Sequence, residues 1–110
     1  MKLALAYDND DGTVSGNFGK TKYFKIYDVE DGDIICSEIV GTMGSRDIDL
    51  PGMLIMLETD ALLCGWIGSS DMKNLKDEGI VFYSGFEGDA DEVADHFING
   101  RFVFGPDADD

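Results

Sequence analysis

Two short stretches of this 110-residue chain combine residue types and spacing that could hold a ligand. The first is Ser15-Gly16-Asn17-Phe18-Gly19-Lys20, followed at once by Lys22 and Lys25. Gly16 and Gly19 let the backbone bend and come close to a guest, and the three lysines set a local positive field in an acidic protein. An anionic guest is the simplest beneficiary, although glycines that only make a turn and lysines that only solubilise a strand face fit the same residues. The second stretch is Cys64-Gly65-Trp66-Ile67-Gly68-Ser69-Ser70. Here Gly65 and Gly68 permit close approach, Trp66 can wall a site, and a helix start at Ser69 would offer free N–H groups to an anion. The same turn would also serve merely to join a strand to a helix.

Side chains that could ligate a metal directly are scarcer. Cys64 could supply a thiolate, but a cysteine ending an apolar run also packs as a small hydrophobe; Cys36 has less claim. His96, the only histidine, follows Glu92 by four residues and suits a helix end better than a ligand set. Met43, Met53, Met56 and Met72 suit gap filling, with Met43 the most suggestive because it sits in a glycine-rich loop. Two-metal nuclease chemistry needs carboxylates converging on cations about 3.5–4 Å apart, for which Asp8 and Glu58 are the available pair. The third position such a site would use is Cys64-Gly65, not an acid. No enzyme is expected.

Eight Lys plus Arg against 23 Asp plus Glu give a formal charge of −15, so a nucleic acid backbone would meet net repulsion. Leu3 to Tyr7 is too short for a signal segment, and no run approaches the ~18 apolar residues of a membrane span. A cytoplasmic protein without nucleic acid or membrane partners is expected, with both cysteines reduced.

The elements that must position these residues follow from periodicity. Residues 3–7 and 60–64 are continuous apolar runs, as parallel strands covered on both faces should be, and 80–83 is taken as another buried strand. Residues 8–17 are read as a loop. Residues 22–30 alternate, with Phe24 and Ile26 on one face and Tyr23, Lys25 and Tyr27 on the other, and a tight Asp-Gly-Asp turn leads into 34–40, making a hairpin. Helices are predicted after Pro51, after a cap at Ser69 or Ser70 and ending at Gly79, and from a capping box of Asp89 with Glu92 to Asn99-Gly100. Val93, Ala94, Phe97 and Ile98 form the apolar stripe of the last helix. This order predicts one α/β domain with a five-stranded mixed sheet and helices on both faces, a ribonuclease H-like arrangement. Because the strands at 2–7 and 60–64 would run parallel, the two glycine turns should meet on one rim.

Three marks in the chain resemble a known family. They are Val14-Ser15-Gly16-Asn17-Phe18-Gly19-Lys20 leading to Tyr23-Phe24, the Asp28-Val29-Glu30-Asp31-Gly32 turn, and Leu62 to Gly68. Together they are similar to the dinitrogenase iron-molybdenum cofactor biosynthesis family, which includes nitrogenase cofactor carriers and the molybdenum-copper orange protein. The likeness runs from Met1 to about Phe104 and is weakest from Gly41 to Glu58. It implies a domain over 1–104, with an acidic tail at 105–110 too polar to order, and a small non-enzymatic protein that binds, carries or scaffolds an anionic molybdenum- or iron-sulfur cluster. A cofactor-assembly protein is the implied partner, and Asn17, Phe18, Gly19, Lys20, Cys64, Gly65, Trp66, Gly68 and Ser69 are the implied site. The chain departs from the family pattern at Asn17, where members commonly carry a histidine, and lacks the usual His and Gly-Pro elements between Gly41 and Gly52. The amide can donate a hydrogen bond to sulfide or oxo groups, but soft metals prefer thiolate or imidazole. A regulatory or interaction module that has lost the cluster is the alternative.

Overall fold

The computed structural model of the chain describes residues 1–42 and 50–100. Strand β1 (Lys2–Asp8) is the centre of the sheet. After it come β2 (Thr13–Val14), a 3-10 turn at Phe18–Lys20, β3 (Tyr23–Glu30), β4 (Asp33–Gly41), α1 (Leu50–Met56), β5 (Ala61–Leu63), α2 (Ser69–Asp77), β6 (Phe82–Tyr83) and α3 (Ala90–Ile98). The main path of the sheet is β4-β3-β1-β5-β6, with β2 paired to β1 beside it. β5 runs parallel to both β1 and β6, whereas β1–β2, β1–β3 and β3–β4 are antiparallel.

Alternation along β1 divides the core. Leu3, Leu5 and Tyr7 face a layer closed by Ala90, Val93 and Ala94 of α3. Ala4 and Ala6 face the other way, and their small side chains leave room for the rings of Phe18 and Phe24 beneath Leu54 of α1 and Leu75 of α2. The expected alternation of β3 holds: Phe24 and Ile26 join the α1/α2 layer, Tyr23 and Tyr27 the α3 layer. The hairpin turns at Asp31 and Gly32, both with positive φ (53° and 82°), the pair of angles that matches the twist of the flanking strands.

Four expectations are corrected. The sheet has six strands, not five, because Thr13–Val14 folds back on Tyr7 and Asp8 inside the stretch read as a loop; two residues are too few to show a period. Residues 80–83 are not a buried strand: β6 is two residues long at the sheet edge, and Val81 and Tyr83 are exposed. Neither Ser69 nor Ser70 caps α2, whose N-cap is Gly68 with no side-chain bond. The 60–64 run is shorter as a strand, but β5 lies inside the sheet between β1 and β6, and residues 61–64 are buried while Asp60 is exposed. The Asp89 cap holds, with its carboxylate accepting from the Glu92 N–H at 3.0 Å, and Gly79 and Gly100 follow their helices with φ of +76° and +67°. Both cysteines are free. The Met43 loop and the tail at 105–110 lie outside the described residues. No helix among the described residues is long and apolar enough to cross a membrane.

Candidate functional site

Because β1, β5 and β6 are parallel, their carboxyl ends open on one rim, the usual place for ligands of open α/β sheets. The two glycine turns do meet there. The Phe18 N–H donates to the Trp66 carbonyl at 2.9 Å, and the Trp66 N–H donates to the Gly16 carbonyl at 3.2 Å. A third segment closes the arrangement: the Gly85 N–H donates to the Gly65 carbonyl at 2.9 Å, and the Phe86 N–H to the Cys64 carbonyl at 3.1 Å. Between them is a cleft of about 390 Å³ lined by Val14, Gly16, Gly65, Trp66, Ile67, Met72 and the loop Ser84 to Glu87. Gly65 is required for this meeting: a Cβ there would lie 2.7 Å from the Ser15 carbonyl oxygen and 3.3 Å from Gly16 Cα. Trp66 stands at the mouth with 65% of its surface exposed.

Of the nine residues singled out in the sequence, only Gly65 and Trp66 line this cleft. Asn17 is half-buried and spends its side-chain oxygen capping the 3-10 turn, where it accepts from the Gly19 N–H at 3.0 Å. Phe18 is fully buried, its ring 6.3 Å from that of Phe24, so it anchors the turn from below. Gly19 is exposed beside the Asp71 carboxylate. Gly68 lies under the Trp66 ring, and Ser69 is exposed in the first turn of α2. Cys64 points into the α1/α2 core with its thiol 3.6 Å from the Tyr83 carbonyl oxygen, and burial pushes that thiol up to about 12. A thiol held protonated in the core is not a ligand presented to a guest.

Lys20 and Lys22 lie in a neighbouring cavity of about 320 Å³, shared with Tyr7, Asp8, Asn9, Asp10, Ser15 and Tyr23. Asp8 and Asp10 therefore lie in the same cavity as the two lysines and oppose their field there. Lys25 is withdrawn altogether: it pairs with Asp91 at 2.7 Å on the α3 face, over the rings of Tyr7 and Tyr27. Its hydrogen bond, reinforced by that of the Tyr27 hydroxyl, holds the Asp91 carboxyl below its ordinary range. The expected three-lysine field is thus two lysines beside the cleft.

Asp8 and Glu58 do not converge. Asp8 ends β1, while Glu58 precedes Asp60, whose N–H binds the Lys2 carbonyl where β1 begins, about 20 Å of strand away. Among the described residues no group of three His, Cys, Asp or Glu side chains could hold a metal ion. Met72, assigned to gap filling from the sequence, and the Ser84 to Glu87 loop, which sequence reasoning did not single out, both line the cleft. The loop's position after a parallel strand was the signal that could have found it.

The site and fold together define a small α/β domain with a cleft between three glycine-bearing segments, at the carboxyl rim of three parallel strands. The model of the dinitrogenase iron-molybdenum cofactor family matches residues 1–100, and the chain belongs to that family. Among solved structures it is similar to PH0822, at 27% identity and a TM-score of 0.85, over 97% of this chain and 98% of that one. It is also similar to the apo form of the orange protein from Desulfovibrio gigas, at 20% identity and a TM-score of 0.76, over 96% and 92% of the two chains. For MJ0327 of Methanocaldococcus jannaschii the values are 22% and 0.75, over 94% and 92%. No curated protein is a match.

Proposed function

We propose that the chain is a non-enzymatic carrier or scaffold whose cargo is an anionic metal-sulfur cluster, and that the cargo sits in the cleft between the Gly16, Gly65 and Gly85 segments. The observation that carries this reading is the convergence of three glycine-bearing turns on one cleft of about 390 Å³ beside the start of α2. Gly68 caps that helix without a side-chain bond to its first N–H groups, and Asp71 in the first turn already supplies one negative charge there. Membership of the cofactor family supports the class of cargo.

A multi-residue ligand set does not fit the described residues, since Asn17 caps its own turn and Cys64 is protonated in the core. Retention would rest on hydrogen bonds from main-chain N–H groups, on the soft Met72 sulfur and Trp66 ring at the cleft, and on the field of Lys20 and Lys22 from the adjoining cavity. Such binding is weak and reversible, which suits delivery to an assembly protein. Its electrostatic part is screened over about 8–10 Å at physiological salt.

The test is anaerobic titration with tetrathiomolybdate and with a synthetic iron-sulfur cluster, read by quenching of Trp66, the only tryptophan. Wild type should bind at low salt and release as salt rises. Asn17 pairs with Trp66 beside the cleft, and Asn17→His gives up the cap on the Gly19 N–H but sets an imidazole next to Trp66; it should tighten binding about tenfold, roughly 1.4 kcal/mol, because imidazole suits these metals. If neither protein takes up either probe, the carrier reading fails. The second reading, an interaction module of the same family, then replaces it; Glu87 on the cleft wall and the buried Cys64 thiol are the observations that favour it.

A further inference from the structure

The hairpin of β3 and β4 leaves one long strand uncovered. β4 is nine residues long, ends the strand order, and has no strand on its outer side among the described residues. Such an edge offers a row of N–H and C=O groups to any extended chain, and proteins ordinarily blunt it with lysine, proline or brevity. β4 contains neither lysine nor proline. Its irregularity, where Ile35 is the extra residue against Asp28 and Val29, is confined to the turn end. Ile35 and Ile39 are 58% and 46% exposed along it.

Charge selects the occupant. From Asp28 to Gly41 the hairpin carries Asp28, Glu30, Asp31, Asp33 and Glu38 and no basic residue. A second copy would set these acids against their like, in a protein of formal charge −15. We propose that the outer edge of β4 is the docking strand for an extended, lysine- or arginine-bearing segment of another protein, which adds to the sheet by main-chain hydrogen bonds. Ile39 lies opposite Lys25 and Glu38 opposite Ile26, so the two occupy opposite faces of β4. The matching segment therefore alternates apolar and basic residues, with apolar ones beside Ile39 and basic ones beside Glu38.

The experiment uses the whole metal-free protein, which makes it independent of cluster binding. Three fluorescent nonapeptides serve as probes: one alternating lysine and valine, one alternating glutamate and valine, and the lysine peptide with alternate backbone nitrogens methylated. Binding is read by anisotropy, and its place by amide hydrogen exchange. The lysine peptide should bind and slow exchange across 33–41. The glutamate and methylated peptides should not bind, and Glu38→Lys with Ile39→Lys, both on exposed positions, should weaken the lysine peptide at least about tenfold. The proposal is overturned by no binding at about 1 mM, by protection elsewhere, or by equal binding of the methylated peptide, which would mean charge attraction alone. Protein dimerisation that protects 33–41 would overturn it as well, by making a second copy the occupant.

Discussion

The cleft bounded by Gly16, Gly65 and Gly85 and the cavity bounded by Asp8, Asp10, Lys20 and Lys22 share one rim, yet they are made of different material. The cleft lies between three segments held together by four inter-segment hydrogen bonds of 2.9–3.2 Å and by the absence of one Cβ at Gly65, and its lining includes Trp66, Ile67, Met72 and Phe86. The cavity is made of charged side chains, of which Lys20, Lys22 and Asp10 are exposed. The wall pinned at Gly65 tolerates no added atom there, whereas exposed charged side chains tolerate substitution and respond to salt. A perturbation of each should therefore give a different signature.

The largest effect is expected from Gly65→Ala. Its Cβ meets backbone, not a flexible side-chain end, so the two turns must separate, at a cost of about 1–3 kcal/mol read from urea unfolding. Gly16→Ala, where nothing lies within 4 Å, is the control and should stay within about 0.5 kcal/mol of wild type. Equal stability of the two variants would break the comparison. A middle effect is expected from Lys20→Glu with Lys22→Glu: stability should stay within about 0.5 kcal/mol, while affinity for tetrathiomolybdate at low salt falls about tenfold and the difference shrinks as salt rises. If affinity is unchanged, the cavity plays no part in the cleft.

The smallest effect lies behind the cleft wall. Burial raises the Cys64 thiol from its ordinary 9.0 to about 12, so the folded protein keeps it protonated and unreactive at pH 8. Iodoacetamide should label Cys36 first, and slowly, because the hydrogen bond to Asp28 raises that thiol too. For Cys64 the sign of the linkage is a loss with rising pH: above pH 9 the unfolded chain releases a proton that the folded one retains, so stability declines from there towards pH 12. Rapid labelling of Cys64 at pH 8 would show that the wall opens.

How far these features were legible depended on how local their causes are. The continuous run of β1, the alternation of Phe24 and Ile26 against Tyr23, Lys25 and Tyr27, and the Asp89 cap are set by neighbours within a few residues, and sequence periodicity carries them. The pairing of Lys25 with Asp91 joins β3 to α3 across most of the chain, and no local signal marks it; the lysine was counted toward the wrong site for that reason. Cys64 was half legible. Its parity with Leu62, against Leu63, already assigned it to one covered face, but not away from the cleft. The third wall at Ser84 to Glu87 was visible only through the topology, since its residues have no distinctive chemistry of their own.

The bond between the Phe18 N–H and the Trp66 carbonyl also has a meaning in time. The partners are about fifty residues apart, whereas the β3–β4 hairpin closes on itself over a few residues, so the hairpin can form from a partial chain and the cleft cannot. During synthesis the first glycine turn emerges and waits, without its other walls, until the segments at 65–68 and 84–87 have left the ribosome. The cleft is thus a property of the finished fold, and an incomplete chain has none.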